Sequence, residues 1–544
     1  MPRRAWLLVA VAAVASFAYR LVVARWVDGP FIFQDEGGYI GVARALAGQD
    51  PDLYGPTYHP LWGALLAPAA AVLDAGGQQA AAQILNALLA AATIPVLHVL
   101  GRRVCGLPPW TSALAAVAGG ATAASFVQAT MLLPEVLLAL LVAAAVVLVH
   151  RALTTGAPAA SVAGGMATGA AYGAHPRALV LVLALLVVVA AAWRTGAVAR
   201  HGLAVLAGVA LGTTAAVQLL HAWATDRLYP SGTQPSLAGS PLGAVTEPVG
   251  SAVITLGQAW YVVAASLGLA ALGMVAAGRR AWVERATPAG LTALLVVLGA
   301  LGSLALGTTG SYEVGLAEDV GRADLPLYGR YLEQWLPVLV VWAPALSRSW
   351  RRRAVLATAL TLVAVAAGLR AIYPAETWDQ PVAWHNISTL RLPVDVFGDD
   401  HLLASALAAG VLALLALVPR RSGDPRWALP LLALVVVNAV AGHRLVRDWA
   451  GPSAAYWGER QVIATALVAS DDPAWVDLDQ YHEVAWAYHA QFWHPDLEVR
   501  YFEGDPPEEA THIVGRVGEA PAPGAVLGLT EPHGDYALWS RPPG

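Results

Sequence analysis

Residues 5–46 read AWLLVAVAAVASFAYRLVVARWVDGPFIFQDEGGYIGVARAL. The first half of this stretch, residues 5–26, is mostly apolar, and about 20 such residues are enough to cross a bilayer as a helix. The second half places two carboxylates, Asp35 and Glu36, directly after the bulky apolar residues 31–33. Charge is costly beside hydrocarbon, so a carboxylate pair in this position predicts a membrane protein with acidic groups at the bilayer edge.

The composition of the whole chain agrees with a membrane protein. Of its 544 residues, 57% are hydrophobic and 13% are charged, whereas a soluble domain carries charge on about 25% of its residues. Every basic residue is an arginine, which is typical of a GC-rich bacterial genome. The net charge of −5 argues against a nucleic-acid partner. The single cysteine, Cys105, cannot form an internal disulfide.

The apolar blocks predict thirteen membrane spans. A further block, residues 60–73, is too short to cross and is predicted to be an interfacial or re-entrant helix. The predicted spans are 5–26, 80–100, 111–131, 134–152, 159–174, 177–193, 201–223, 251–277, 288–307, 331–346, 354–372, 401–418 and 427–445.

The placement of arginine predicts the orientation of the chain, because cytoplasmic loops are enriched in basic residues. With a cytoplasmic N-terminus and residues 60–73 not crossing, dense clusters such as RSWRRR (348–353) fall inside. The long connections then fall outside, where loop-borne chemistry is expected. The sequence therefore predicts a multi-pass plasma-membrane protein with its C-terminus outside the cytoplasm.

The composition changes near residue 450, which predicts two domains. Residues 1–449 form the transmembrane domain, and residues 450–544 form a small extracytoplasmic α/β or α+β domain. Alternation of apolar and polar residues predicts strands in PAWVDLD, EVRYFEG, THIVGRV and YALWSRP, and helical spacing predicts a helix in QYHEVAWAYHAQF. Three histidines here, His482, His489 and His494, lack the spacing of a helical metal site and are predicted to be surface or core residues.

The acidic pair opens a predicted interfacial helix. Its apolar residues recur at helical spacing and form a stripe suited to the bilayer surface; they are Tyr39, Val42, Ala43 and Leu46. The helix macrodipole favours ionised carboxylates at this end, and an ionised carboxylate is a candidate general base. The alternative is that the pair only caps the helix, since Asp is a favoured N-cap residue.

The order of these features resembles a known family. A span is followed by an aromatic stretch ending in Asp-Glu, by Tyr39, by a second interfacial segment at 60–73, and by a span ending in Leu-Gly-Arg-Arg at 100–103. This order resembles the GT-C glycosyltransferases, in particular the protein O-mannosyltransferases and the lipid A aminoarabinose transferases. The resemblance covers about residues 1–350 and is sharpest over 31–103. It implies an all-α GT-C fold of roughly 11 to 13 spans, with two interfacial helices in the first outside loop.

The resemblance implies three catalytic carboxylates. Asp35 falls on the family's catalytic base, and Glu135 falls where a second acidic residue follows the third span. Glu36 and Glu135 would orient the acceptor or hold a divalent cation, and the need for a metal stays open. The family often has Asp at the second position. For Glu135 the alternative is an ordinary acidic residue at a helix N-terminus.

The resemblance also implies residues that bind the donor. The family's Lys-Pro-Pro-Leu motif is His59-Pro60-Leu61 here, without the lysine and one proline, so His59 would bind phosphate only when protonated. Arginine binds phosphate oxygens through a planar fork, although snorkelling to lipid headgroups is an alternative. The candidate phosphate ligands are His59, His175, Arg177 and Arg330, and the candidate substrate contacts are Tyr39, Tyr58 and Tyr331.

The resulting function is transfer of a sugar, such as mannose or arabinose, from a polyprenyl phosphate to a glycan, lipid or protein acceptor. Asp35 would act as base in one inverting displacement. The sequence has no Gly-rich phosphate loop for a nucleotide sugar. The alternatives are a transporter or flippase, whose charged sites lie near the bilayer midplane, a ligase or polymerase with a diphosphate donor, and a non-catalytic scaffold. The Asn386-Ile387-Ser388 triplet also fits the N-glycosylation pattern, which arises readily by chance.

Overall fold

The fold was examined in a computed structural model. It describes residues 2–31, 33–49, 59–196, 198–228, 248–315, 324, 327–372, 384–470, 472–477, 481–522, 525–532 and 534–540. Most of the described chain is helical. The helices are α1 (Pro2–Ala24), α2 (Phe33–Leu46), α3 (Pro60–Val72), α4 (Ala75–Arg103), α5 (Pro109–Gly120), α6 (Ala123–Gln128), α7 (Glu135–Thr155), α8 (Pro158–Ala174), α9 (Leu179–Thr195), α10 (Arg200–Leu228), α11 (Pro248–Ala265), α12 (Leu269–Val283), α13 (Pro288–Gly315), α14 (Arg330–Glu333), α15 (Leu336–Trp342), α16 (Arg348–Ile372), α17 (Arg391–Phe397), α18 (His401–Leu415), α19 (Ala428–Leu445), α20 (Gly451–Gly458), α21 (Val462–Ser470) and α22 (Tyr481–Trp493).

The chain is a multi-pass membrane protein. Within the described ranges, nine helices are long and apolar enough to cross a bilayer, and the bent pair Ser388–Phe397 and His401–Leu415 would make ten. The count of thirteen is not confirmed and stays a prediction. The short helices α2 and α3 lie between the first two long helices, in agreement with the predicted interfacial pair.

Three predicted spans are broken rather than continuous. The predicted span 111–131 divides into α5 and α6, where Thr122 caps α6 by accepting the N–H of Ser125 at 3.3 Å. Arg20 of α1 donates to the carbonyl of Gly120 at 3.1 Å and so satisfies the exposed end of α5. Both halves of the block are apolar, so hydropathy alone does not reveal the break.

The other two breaks fall after Ala265 and after Glu333. The predicted span 251–277 divides into α11 and α12 at Leu267 and Gly268, whose φ angles are 52° and 82°. A β-carbon on Gly268 would lie 2.6 Å from the β-carbon of Ala413, so a larger residue does not fit there. The predicted span 331–346 divides into the one-turn helix α14 and the short helix α15.

The two ends of the helix bundle differ in their chemistry. At the end that we call the arginine-rich end, the side chains of Arg102, Arg280 and Arg351 donate to backbone carbonyls near helix ends. Arg102 donates to Leu107 O at 2.5 Å and Arg280 donates to Val104 O at 2.7 Å. The N-termini of α2, α7 and α14 lie at the opposite end, which we call the site end. Which end faces the cytoplasm stays a prediction.

The C-terminal part forms a five-stranded sheet. Its strands are β1 (Ala474–Asp477), β2 (Val499–Phe502), β3 (His512–Arg516), β4 (Val526–Thr530) and β5 (Tyr536–Ser540), in the order β2-β1-β3-β5-β4. β1 pairs in parallel with β2 and β3, whereas β5 pairs antiparallel with β3 and β4. The four predicted strands and the predicted helix are present. β4 was missed, because its sequence VLGLT lacks the alternation of apolar and polar residues and contains an irregularity in register between Leu527 and Leu529.

The predicted boundary between residues 449 and 450 falls inside continuous helix. A π-helical turn, Val446–Ala450, joins α19 to α20 without a linker. The C-terminal helix α22 then packs against α2, where Arg44 donates to Gln491 O at 3.0 Å and to Phe492 O at 2.8 Å. The sheet domain is thus joined to the helix that carries Asp35.

Candidate active site

Four of the predicted charged residues meet at the site end of the bundle. Asp35 lies in the first turn of α2, and Glu135 is the first residue of α7. Arg177 lies in a 3-10 turn between α8 and α9, and Arg330 is the first residue of α14. Each side chain stands at a helix end, so four distant parts of the chain contribute to one place. We call Asp35, Glu135, Arg177 and Arg330 the charge cluster.

Arg330 connects the cluster. One terminal nitrogen forms an ion pair with the carboxylate of Asp35. Its Nε and Nη2 lie 2.7 and 2.5 Å from Glu135 Oε1, which also accepts from Arg177 Nη2 at 3.2 Å. Burying these charges is tolerable because two cations face two anions. The side chain of Asp35 is 21% exposed and that of Glu135 only 3%, so the cluster is open on the side of Asp35.

The inner side of the cluster borders a small cavity lined by both polar and apolar residues. Its volume is about 30 Å³, which is enough for a water molecule or two. Of the described atoms, none forms a hydrogen bond with Glu135 Oε2 or Arg177 Nε, although both are buried. Water is the ligand that this space admits. The lining includes Thr93, Thr122, Ser125, Gln128, Glu135, Arg177, Arg330, Glu333 and Gln334.

Glu36 has a different environment from Asp35. Its side chain is fully buried, and its two oxygens accept the backbone N–H groups of Phe31 at 2.9 Å and Leu132 at 2.8 Å. These bonds fasten the start of α2 to the loop that precedes Glu135. Glu36 was predicted to contact an acceptor or a cation. These contacts favour instead a structural role for Glu36 beside Asp35.

The three predicted tyrosines also differ in their surroundings. Tyr39 is fully buried, its hydroxyl donates to Ala174 O at 3.5 Å, and burial raises the pKa of Tyr39 well above its ordinary value. The ring of Tyr331 lies 5.8 Å from the guanidinium carbon of Arg177, within the range of a cation–π contact. The structure thus brings Tyr331 to the cluster and buries Tyr39 beneath it. Tyr58 lies outside the described residues.

The two predicted histidines flank the cluster. His175 Nδ1 accepts the backbone N–H of Arg177 at 3.2 Å and thereby shapes the turn that presents Arg177. His59 packs against the rings of His221 and Tyr172, with centroid distances of 4.6 and 4.3 Å. Burial, together with His221, lowers the pKa of His59 to about 3. Binding of phosphate by a protonated His59 is therefore not supported, because this imidazole is neutral near pH 7.

Sequence reasoning missed one acidic residue of this site. Glu333 lies one turn after Arg330, is 8% exposed, and accepts from the Tyr261 hydroxyl at 3.0 Å and from Gln128 Nε2 at 2.7 Å. An ionisable residue within a predicted span is a functional signal by itself, and Glu333 within 331–346 offered that signal.

Comparisons with known proteins add evidence for the fold. The sequence matches no family model, and no curated protein sequence matches it. Among solved structures, ArnT from Cupriavidus metallidurans in the apo state aligns over 99% of this chain and 98% of its own, with 13% identity and a TM-score of 0.55. The same protein bound to undecaprenyl phosphate aligns over 97% of both chains, with 16% identity and a TM-score of 0.53.

A third solved structure is more distant. The oligosaccharyltransferase of Archaeoglobus fulgidus in the apo form aligns over 93% of this chain and 69% of its own, with 10% identity and a TM-score of 0.49. ArnT, a lipid A aminoarabinose transferase of the GT-C class, shares its fold with this chain over nearly the whole length of both. The chain has the GT-C fold. This confirms the fold that the first outside loop predicted.

The described residues include no group of three or more His, Cys, Asp or Glu side chains placed to hold a metal ion. In the C-terminal domain, His489 is buried and stacks on Trp457 at 4.3 Å, and burial lowers its pKa to about 3. His489 is therefore a core residue, as predicted. The side chain of His482 lies outside the described residues, and His494 is about half buried.

Proposed function

We propose that this chain is an integral-membrane glycosyltransferase that moves a sugar from a polyprenyl phosphate to an acceptor hydroxyl outside the cytoplasm. The observation that carries the proposal is Arg330, which bridges Asp35 and Glu135 at one end of a GT-C bundle. ArnT, which shares this fold, has a solved structure with undecaprenyl phosphate bound. The acceptor would be a glycan, lipid or protein.

The partners of Arg330 suggest how the donor would enter. A guanidinium fork binds phosphate oxygens as well as it binds carboxylates. Asp35 is the most exposed anion of the cluster, so the donor phosphate would displace Asp35 from Arg330 rather than the buried Glu135. Binding of the donor would then release the Asp35 carboxylate from its ion pair. Arg177 would supply further positive charge to the phosphate.

The reaction would be a single displacement at the anomeric carbon. The acceptor hydroxyl gives its proton to Asp35 while its oxygen forms the new bond to the sugar. The bond from the sugar to the phosphate breaks, and the lipid phosphate leaves with the bonding electrons. Arg330 and Arg177 stabilise the charge that grows on the leaving phosphate, and Glu135 holds both arginines in place. One displacement inverts the anomeric centre.

The position of the cluster favours this reading over a transporter or flippase. Transporters place ionisable sites near the bilayer midplane, at broken helices. Asp35, Glu135, Arg177 and Arg330 instead occupy helix termini at one end of the bundle. A ligase that uses a diphosphate donor would share this location, and only the choice of donor separates it from the proposed enzyme.

The test is the Asp35→Asn variant in proteoliposomes supplied with a panel of polyprenyl-phosphate and polyprenyl-diphosphate sugars. Asparagine keeps the shape and the capping ability of aspartate but loses its basicity, so transfer should fall by roughly 100-fold or more. The matched control is Asp74→Asn. Asp74 lies in the same inter-span segment, caps α4 by accepting the N–H of Gly77 at 2.7 Å, and is not a member of the charge cluster.

The outcomes separate the alternatives. Near-normal transfer by Asp35→Asn would remove Asp35 from the mechanism. An equal loss of transfer in Asp74→Asn would mean that the effect arises from disturbing a helix N-terminus and not from losing a base. Transfer from diphosphate donors alone would favour the ligase. A parallel assay with a chelator addresses the divalent cation that the family resemblance left open, since a metal-dependent enzyme would stop and recover when the cation returns.

A further inference from the structure

Arg330 lies on a helix that is too short to hold its own position. The helix α14 has four residues, and the helical run is interrupted before α15 begins at Leu336. One turn of helix is unstable in isolation, because its nucleation costs more than its few hydrogen bonds return. The orientation of the Arg330 guanidinium must therefore be set by the elements packed around α14.

One such element is the buried segment of residues 384–390. The carbonyl of Asn386 accepts the N–H of Gly329, directly before Arg330, at 3.1 Å. The side-chain nitrogen of Asn386 donates to Asp324 Oδ2 at 2.9 Å. Asn386 is 1% exposed and Asp324 is fully buried. A residue this buried is not an acceptor for N-glycosylation, so the Asn386-Ile387-Ser388 pattern is a chance match.

Tyr261 also contacts this turn. Its ring lies against Gly329 so closely that a β-carbon on Gly329 would stand 1.9 Å from Tyr261 Cδ1. Its hydroxyl donates to Glu333 Oε1 at 3.0 Å, at the end of α14. Asn386 thus binds the residue directly before the short helix, and Tyr261 contacts that residue and the last residue of the helix. Neither residue touches the charge cluster through the contacts described.

We propose that Asn386 is a positioning residue for Arg330. Through the hydrogen bond to Asp324 and the carbonyl bond to Gly329, Asn386 fixes the turn that aims the Arg330 guanidinium at Asp35, Glu135 and the incoming phosphate. The inference rests on the proposed function for its kinetic readout. It names a residue that lies outside the charge cluster and acts on the reaction only through Arg330.

The first experiment exchanges the two hydrogen-bonding partners. Asn386→Asp places a carboxylate against Asp324 and should repel it, shifting the turn. A displacement of a reacting group by about 1 Å costs roughly 100-fold in rate, so we expect a fall in kcat of roughly 10- to 100-fold. The double variant N386D/D324N restores a donor and an acceptor in reversed order, and transfer should recover to within about 5-fold of wild type.

The second experiment tests whether the effect passes through Arg330. If Asn386 acts only on the guanidinium, Asn386→Ala should cost much less in an Arg330→Lys background, which has already lost the fork, than in wild type. The control is Ser112→Ala. Ser112 is another fully buried polar residue, and its hydroxyl donates to His98 O of α4 at 2.8 Å, with no described contact to the segment of residues 384–390. Its effect should be the same in both backgrounds.

Some results would overturn the inference. These are near-normal kcat in Asn386→Asp, failure of the double variant to recover although it folds as judged by thermal unfolding, or an equal loss for Asn386→Ala in both backgrounds. The last result would mean that Asn386 only supports the fold.

A binding readout separates this inference from the proposed function. Undecaprenyl phosphate should raise the Tm of the wild type. It should not raise the Tm of Asn386→Asp, and it should raise the Tm of N386D/D324N again. If the wild type transfers no sugar but shows this pattern, the proposed function fails and the positioning inference stands. If the Tm shift is unchanged in Asn386→Asp, the inference fails whatever the enzyme does. Absence of both transfer and Tm shift in the wild type overturns both proposals.

Discussion

The two ends of the bundle use arginine in opposite ways. At the site end, Arg330 and Arg177 are buried against the carboxylate of Glu135. At the arginine-rich end, Arg351 is 1% exposed and donates to three backbone carbonyls, at Leu346 O (3.1 Å), Ala416 O (3.2 Å) and Pro419 O (2.6 Å). The residue type and the burial are alike, and only the partners differ.

The difference in partners determines what each arginine can do. The carbonyls around Arg351 are the last acceptors of helices and the loops that follow them, and they need a donor wherever water is excluded. Those bonds are part of the fold and cannot be exchanged. A carboxylate at the cluster can be replaced by a phosphate of the same charge, so the site-end arginines remain available to a ligand.

The largest effect should come from Arg330→Lys. Lysine keeps the positive charge beside Asp35 and Glu135 but cannot contact both carboxylates through a planar fork. Loss of one oriented donor to the leaving group costs about 100-fold in kcat. We expect a fall of that order at an unchanged Tm, measured as initial transfer rates in proteoliposomes. Full activity in Arg330→Lys would mean that a single positive charge is sufficient for transfer. The difference in arginine partners between the two ends would then not matter for catalysis.

A smaller loss is expected for Arg177→Lys. Arg177 contacts Glu135 through one nitrogen at 3.2 Å, whereas Arg330 contacts it through two. We expect transfer to fall by about 10-fold, chiefly as a higher KM for the lipid donor, because one charge-assisted hydrogen bond is weakened. Donor titrations would show this. A loss larger than that of Arg330→Lys would reverse the ranking of the two arginines.

At the opposite end, Arg351→Ala should reduce stability and leave catalysis intact. Removal of a buried cation that satisfies three carbonyls should lower the free energy of unfolding by about 2 kcal/mol or more. The transfer rate per folded molecule should change less than about 2-fold. Thermal unfolding and transfer activity, measured on the same preparation, test whether Arg351 affects only stability. A selective loss of activity at unchanged Tm would contradict the division between the ends.

The smallest effect concerns His59, a predicted phosphate ligand whose pKa is lowered to about 3 by burial. His59→Gln should leave the ratio of transfer rates at about pH 5 and about pH 8 unchanged, because an imidazole with a pKa of about 3 does not titrate in that range. A change in this ratio would show that His59 is charged during turnover.

The same shift of pKa predicts a dependence of stability on pH. The folded-state pKa of His59 lies below the ordinary histidine value of about 6.5, so between these values the unfolded chain binds more protons. The stability contributed by neutral His59 is therefore complete above about pH 6.5 and is lost as the pH falls toward about 3. Thermal unfolding of wild type should be more acid-sensitive than that of His59→Gln in this window.

Local sequence decided the membrane class, the helices and most of the sheet. An apolar run of about 20 residues favours helix in a bilayer, although it does not reveal where that helix is interrupted. The alternation in THIVGRV and YALWSRP favours strands. Four of the predicted charged residues also stood out locally, since Asp35, Glu135, Arg177 and Arg330 are costly beside hydrocarbon and must have a reason to be there.

Only the tertiary structure decided which of these residues work together. Asp35 and Glu36 are adjacent, yet one faces Arg330 and the other is held by two backbone N–H groups. The breaks at Gly120 and Gly268 and the bond from Asn386 to Asp324 depend on partners far along the chain. Contacts of this kind are set by packing between helices, and no pattern within one segment records them.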